Sequence, residues 1–193
     1  MDYTEGTEQF KKERSKKQML WFGIISLTMT FAGLTSAYIV SMQRKDWVSD
    51  YEFPIALIIS TGLIILSSIT IHLAKKSILD GNKSLGVALM GLTLALGIAF
   101  VIAQFYGFNE LKDQGYYFTG GSSTITTTFI FLIAVLHIAH VAIGLFVLIR
   151  VFIGAIKEKY TPDSYLGLYL GVAFWHFVDV LWLLLFMLFY FFR

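Results

Sequence analysis

Apolar positions fall into five long runs, roughly residues 19–42, 54–74, 84–106, 125–152 and 169–192, separated by short polar stretches. Each run reaches the roughly 20 residues that a helix needs to cross the hydrocarbon core of a bilayer. The connections, residues 43–53, 75–83, 107–124 and 153–168, are too short to hold a soluble domain. The pattern predicts an all-α integral membrane bundle of five transmembrane helices, forming one domain over residues 19–193. A charged segment, residues 1–18, precedes it. Glu8 with Lys12 and Glu13 with Lys17 have the i, i+4 order that supports a helix. The segment is read as a short surface helix, an extension of the first span, or a solvated tail.

Composition agrees with a membrane setting. Of the 193 residues, 56% are hydrophobic and 15% charged, against about 25% charged in soluble domains. The absence of cysteine excludes a disulfide framework, a thiol nucleophile and a Cys-ligated metal. The net charge is only +2, and the basic residues sit at the ends of apolar runs, which argues against nucleic-acid binding. Their distribution sets an orientation. Lys11, Lys12, Arg14, Lys16, Lys17, Lys75, Lys76, Lys83, Arg150, Lys157 and Lys159 fall on one side, and Arg44, Lys45, Lys112 and Arg193 on the other. The positive-inside rule then places the N-terminus in the cytoplasm and the C-terminus in the periplasm. The two prolines, Pro54 and Pro162, stand at edges of apolar runs, where a helix can begin. No cleavable signal peptide is expected, because the first apolar run is too long for an h-region.

Small residues hint at helix contacts. Gly91, Ala95, Ala99 and Ala103 recur every fourth position in the third run, and Gly33 precedes Ala37 by the same spacing in the first. Gly167 and Gly171 open the fifth run, and Gly144 lies one turn beyond His140. Such positions let helix backbones approach closely. Trp21 and Phe22 at one end, and Tyr116, Tyr117 and Phe118 at the other, fit interfacial aromatic belts.

The candidate chemistry lies in the few polar groups inside the runs. An ionised group at the centre of a membrane helix costs roughly 2.5–3.5 kcal/mol, so such residues face protein and have a partner. His72 is placed at the inner interface, and Gln104 is expected to bond another helix. His137 and His140 share a face of the fourth span; His176 and Asp179 share a face of the fifth, where Trp175 and Trp182 flank Asp179. His137, His140, His176 and Asp179 are expected to form a polar link between the last two spans. From the residues alone, one bis-His haem remains open, from His176 with His137 or His140. A transporter is a further reading, but no inverted repeat or Pro-broken helix marks a substrate site. There is no Gly-rich phosphate loop, serine elbow or HExxH helix. A non-catalytic helical subunit is the reading the residues favour, with no catalytic, metal-binding or cofactor-binding residue in the chain.

The run Trp175-His176-Phe177-Val178-Asp179-Val180-Leu181-Trp182 resembles the WHFVDxxW segment in the last helix of haem–copper oxidase subunit III. Leu136-His137-Ile138-Ala139-His140-Val141 with Gly144 is similar to that family's FHGLHVxxG in the preceding helix. Phe31-Ala32-Gly33 with Ala37-Tyr38 resembles its FAGxxxAY, and Gln104 with Tyr106 matches the end of a helix between them. The matches come in family order from about residue 20 to residue 192.

The resemblance implies a subunit III of a proton-pumping terminal oxidase in a bacterial inner membrane, in the short five-helix form. Its implied partners are subunit I as the main contact, subunit II, and beyond them subunit IV or a respiratory supercomplex. The implied roles are stabilising subunit I, supporting proton uptake and holding phospholipid, with haem and copper carried by the partner subunits. A quinol oxidase is the alternative assembly. Three positions depart from the family pattern: Leu27, Gly107 and Tyr169 each stand where the family has a glutamate. The two additional helices of the longer family form, and the lipid cleft they help to build, have no counterpart here.

Overall fold

The computed structural model describes residues 7–45, 47–48, 52–118, 120, 123–161 and 164–192. Pro162, Arg193 and the first six residues of the charged segment lie outside the described residues. Five helices account for nearly all the rest: α1 (Glu8–Ser41), α2 (Ile55–Leu79), α3 (Lys83–Asp113), α4 (Ile125–Ile156) and α5 (Leu166–Phe191). All five are long and apolar enough to cross a membrane. The helices start where local chemistry predicts. The Thr7 hydroxyl caps α1 by accepting from the Phe10 amide, and Pro54 precedes the first residue of α2. Asn82 caps α3, and Thr124 with Thr127 forms a reciprocal cap on α4.

Residues 8–18 are continuous with the first span, so the described part of the charged segment is its first turns. An exposed ion pair there joins Lys11 to Glu8 at 3.4 Å, one residue closer than the i, i+4 spacing predicts. Helices α2, α3, α4 and α5 pack in a closed cycle, each touching the next and α5 returning to α2, which makes a four-helix bundle. The first helix lies outside that cycle against α4 and α5. Among its described side chains only Phe31 and Tyr38 are buried.

The basic ends gather on one side. Lys83 pairs with Glu158 at 2.6 Å, joining the start of α3 to the α4–α5 connection. Lys17 and Lys75 both stand over the Tyr169 ring, 5.6 and 5.3 Å from its centroid. At the opposite end, the Tyr38 hydroxyl donates to the Phe192 carbonyl at 2.8 Å, and the Val48 amide donates to Thr126 Oγ1 at 2.9 Å.

The expected small-residue stripes on α1 and α3 are not where those helices come closest. Ala95 is exposed, Gly91 meets only the tip of Phe152 at ordinary contact distance, and Gly33 and Ala37 look into open space. The tight positions on α3 are instead Gly86, Gly97 and Gly107. A Cβ at Gly107 would stand 2.9 Å from Leu57 of α2. The buried face of α3 also carries Met90, Thr93, Phe100 and Gln104, so large residues between the glycines fix which face turns inward.

Candidate functional site

The polar groups of the bundle converge on α2. Ser60, Thr61, Ser67 and Ser68 form two hydroxyl pairs seven residues apart, hence on one face about 10 Å apart along the helix. Trp175 and Trp182 of α5 have the same spacing. Trp175 Nε1 donates to Ser67 Oγ at 2.9 Å and Trp182 Nε1 donates to Thr61 Oγ1 at 3.0 Å. The helices run antiparallel, so the later tryptophan meets the earlier hydroxyl. On the neighbouring face of α2, Gln104 Nε2 of α3 donates to Ser60 Oγ at 2.7 Å, which is the interhelical bond expected of that glutamine.

Trp175 is fully buried because two neighbouring helices leave a slot for it. A Cβ at Gly97 of α3 would stand 2.8 Å from Trp175 Cη2, and one at Gly144 of α4 would stand 3.2 Å from its Cε3. The small residue at Gly144 is therefore used, and Gly97 is its counterpart on the other wall. At the start of α5, Gly171 closes on Val151 of α4 in the same way, and Gly167 lies against the Tyr160 ring.

The expected polar link between α4 and α5 is distributed over different neighbours. His137 is fully buried in an aromatic cage, its ring stacked on Trp182 with centroids 5.2 Å apart. Phe31 and Phe100 stand edge-on to it at 6.3 and 6.2 Å. Neither ring nitrogen of His137 has a hydrogen-bond partner among the described residues. His140 donates from Nδ1 to the Leu136 carbonyl of its own helix at 2.6 Å and meets the Phe31 ring at 5.5 Å.

His176 turns to α2, where its Nδ1 shares a hydrogen bond of 2.7 Å with Ser68 Oγ. Its ring lies 6.2 Å from that of His72. Asp179 is buried beside the same serine, yet neither carboxylate oxygen meets a partner at hydrogen-bond geometry among the described residues. His137 thus reaches α5 through the Trp182 ring, and no hydrogen bond joins the two sets among the described residues.

The α2 hydroxyls are the partners that sequence reasoning missed. Their signal was present in the repeated Ser/Thr pairs at 60/61 and 67/68, whose seven-residue spacing equals that of the tryptophans. Among the described residues no three His, Cys, Asp or Glu side chains gather as metal ligands. His137 and His176 also face different helices, so the geometry does not set them on either side of a common haem plane. Outside the spans, burial raises the Tyr160 phenol above its ordinary value of 10.0, and its ring packs on Gly154 and Gly167. The arrangement binds helices to one another through donors, hydroxyls and ring faces.

Comparison with known proteins agrees with the motifs. The family model described as cytochrome c oxidase subunit III matches residues 18–193. The chain is 30% identical over 203 aligned residues to cytochrome c oxidase subunit 3 of Loxodonta africana, covering 96% of this chain and 74% of that protein. It is 31% identical over 170 residues to cytochrome c oxidase subunit 3 of Corynebacterium diphtheriae, covering 84% of this chain and 81% of that one. With five membrane-crossing helices and a match over nearly its whole length, this chain belongs to the cytochrome c oxidase subunit III family, a multi-pass membrane subunit of a respiratory oxidoreductase complex.

Proposed function

We propose that this chain is a non-catalytic subunit of a proton-pumping haem–copper oxidase in a bacterial inner membrane. It stabilises subunit I, supports proton uptake during turnover and holds phospholipid. Haem and copper reside in the partner subunits, and subunits I and II are the neighbours it assembles with. The basic end of the bundle faces the cytoplasm and the end carrying Tyr38 and Phe192 faces the periplasm, as the charge distribution requires.

One observation carries this reading. The residues that match the family, Trp175, His176, Trp182, His137 and Gly144, serve interhelical packing and hydrogen bonding. A side chain used to lock a helix to its neighbour is not free to turn over a substrate. The bundle therefore suits a rigid support that keeps its shape while chemistry proceeds next door.

Purification in mild detergent through a tag on this chain tests the proposal. Subunits I and II are expected to come with it, with a haem spectrum that remains when His137 or His176 is replaced. Recovery of the chain without a haem–copper subunit, or a Soret band lost on replacing His176, would overturn it.

A further inference from the structure

At the basic end, where α4 gives way to the connection toward α5, a cavity of about 340 Å³ is lined by Arg150, Ile153, Gly154, Lys157, Lys159 and Tyr160. None of these residues is acidic. Glu158, which separates the two lysines in the chain, is held elsewhere. Its φ of 53° is the left-handed conformation in which many helices end, and its carboxylate pairs with Lys83 of α3 at 2.6 Å. The ammonium groups of Lys157 and Lys159 have no ion pair or hydrogen bond among the described residues.

The other groups around the cavity are also unspent. Arg150 stands over the Phe146 ring, 5.3 Å from its centroid, and a guanidinium placed on a ring face keeps the N–H donors along its edge. Tyr160 Oη lies over Gly154, where a Cβ would stand 2.7 Å from it, so only glycine leaves that floor open. The phenol has no hydrogen-bond acceptor among the described residues. Burial raises it above 10.0, which keeps its hydrogen in place at neutral pH. The carbonyls of Ile153, Gly154 and Ala155 would repel an anion, but they accept from the amides of Lys157, Lys159 and Glu158 at 3.1, 3.0 and 3.0 Å. Three cations and a phenolic donor thus surround one space.

Charge and volume select the occupant. A phosphate monoester carries about −1.5 to −2 charges at neutral pH and leaves part of the charge of Arg150, Lys157 and Lys159 unmatched. A diphosphate matches all of it. The volume stands at the lower end of the roughly 300–1,000 Å³ of small-molecule sites, which suits a compact ligand better than a partner's protein surface. Ile153 is the one aliphatic side chain in the lining, so the cavity offers no wall for an acyl chain.

We propose that this cavity binds the diphosphate group of a soluble anion. Arg150, Lys157 and Lys159 neutralise it, and the Tyr160 hydroxyl donates to a phosphate oxygen. The site goes beyond the assembly reading above and shares no residue with the contacts of Trp175 and Trp182.

Calorimetric titration of the detergent-solubilised protein at low salt, with whatever subunits accompany it, tests the site with inorganic pyrophosphate and orthophosphate. Pyrophosphate is expected to bind more tightly than orthophosphate. Lys157→Gln/Lys159→Gln should weaken it by at least about tenfold, and Tyr160→Phe by about threefold. Lys112→Gln, at the opposite end of the bundle, should leave it unchanged. All three lysines are exposed, so their replacement leaves the fold intact. No pyrophosphate binding, equal affinity in the double variant, or an equal loss in Lys112→Gln would overturn the site.

Two further readouts separate other occupants. A phospholipid retained in native mass spectrometry and lost in the double variant would make the cavity a headgroup site and overturn the proposal. The chain has no cysteine, so Ile153→Cys gives it a single label in the lining. A maleimide should react there, and pyrophosphate should slow the reaction. Protection before pyrophosphate is added would make the cavity a subunit interface and overturn the proposal. If no haem–copper subunit accompanies the chain yet pyrophosphate binds through the two lysines, the assembly reading fails and this site stands. An intact complex that does not bind pyrophosphate removes this site alone.

Discussion

Trp175 donates its indole hydrogen to Ser67 Oγ at 2.9 Å, joining side chains 108 residues apart in the chain. The same ring fills the slot between Gly97 and Gly144, so one residue ties α5 to α2 and spaces α3 from α4. Trp182 repeats the bond on Thr61 two turns further along.

The indole bonds are expected to be individually modest. Interhelical hydrogen bonds in membrane bundles average about 0.6 kcal/mol in double-mutant cycles. Thr61 also donates to the Leu57 carbonyl and is not orphaned when the indole is removed. Trp182→Phe combined with Thr61→Val should therefore give a coupling energy of about 0.5–1.5 kcal/mol, read from detergent-solubilised thermal or denaturant melts. A coupling of zero would mean that the bond does not hold the helices.

Glycine substitutions on α3 separate the observed packing face from the expected one. Gly97→Val should destabilise by about 1–3 kcal/mol through overpacking against Trp175 and Leu145. Ala95→Val, on an exposed position of the same helix, should change stability by less than about 0.5 kcal/mol. Equal losses at both positions would contradict the described rotation of α3.

Among the described residues Ser68 is the one side chain that bonds His176, and Asp179 is buried beside it. Ser68→Ala leaves the imidazole nitrogen without that partner, and a loss of about 1–3 kcal/mol is expected. Asp179→Ala removes a buried carboxylate that meets no hydrogen-bond partner among the described residues, which relieves a desolvation cost. The serine change should therefore lower the melting temperature more than the aspartate change. The reverse order would show that Asp179 has a partner of its own in the assembled complex.

Alkaline pH should loosen the connection between α4 and α5. Burial raises the Tyr160 phenol above 10.0, so the folded chain holds this proton more tightly than the unfolded chain. Stability from Tyr160 is then fully present below pH 10 and is lost as pH rises through the folded value. Melts between pH 8 and pH 11 should show this decline, and Tyr160→Phe should flatten it.

The sequence by itself determined the number of spans, their all-helical character and the gathering of basic residues at one end. These follow from run length, hydropathy and charge, which belong to residues one at a time. It also marked Trp175, His176, Asp179 and Trp182 as side chains needing partners, because burying a polar group in an apolar run has a cost wherever the chain goes. Only the tertiary structure decided who those partners are. Asp179 and His176 lie beside Ser68 on α2, not against the histidines of α4, and Gly97 makes the close approach that the stripe through Ala95 does not. The reason lies in the solvent. In a bilayer the outer face of a helix is as apolar as its inner face, so hydrophobic pattern does not fix the rotation of each helix about its axis. That rotation is set by interlocking shapes, glycine slots against indole rings and hydroxyls against N–H donors, and these exist only once the helices are side by side.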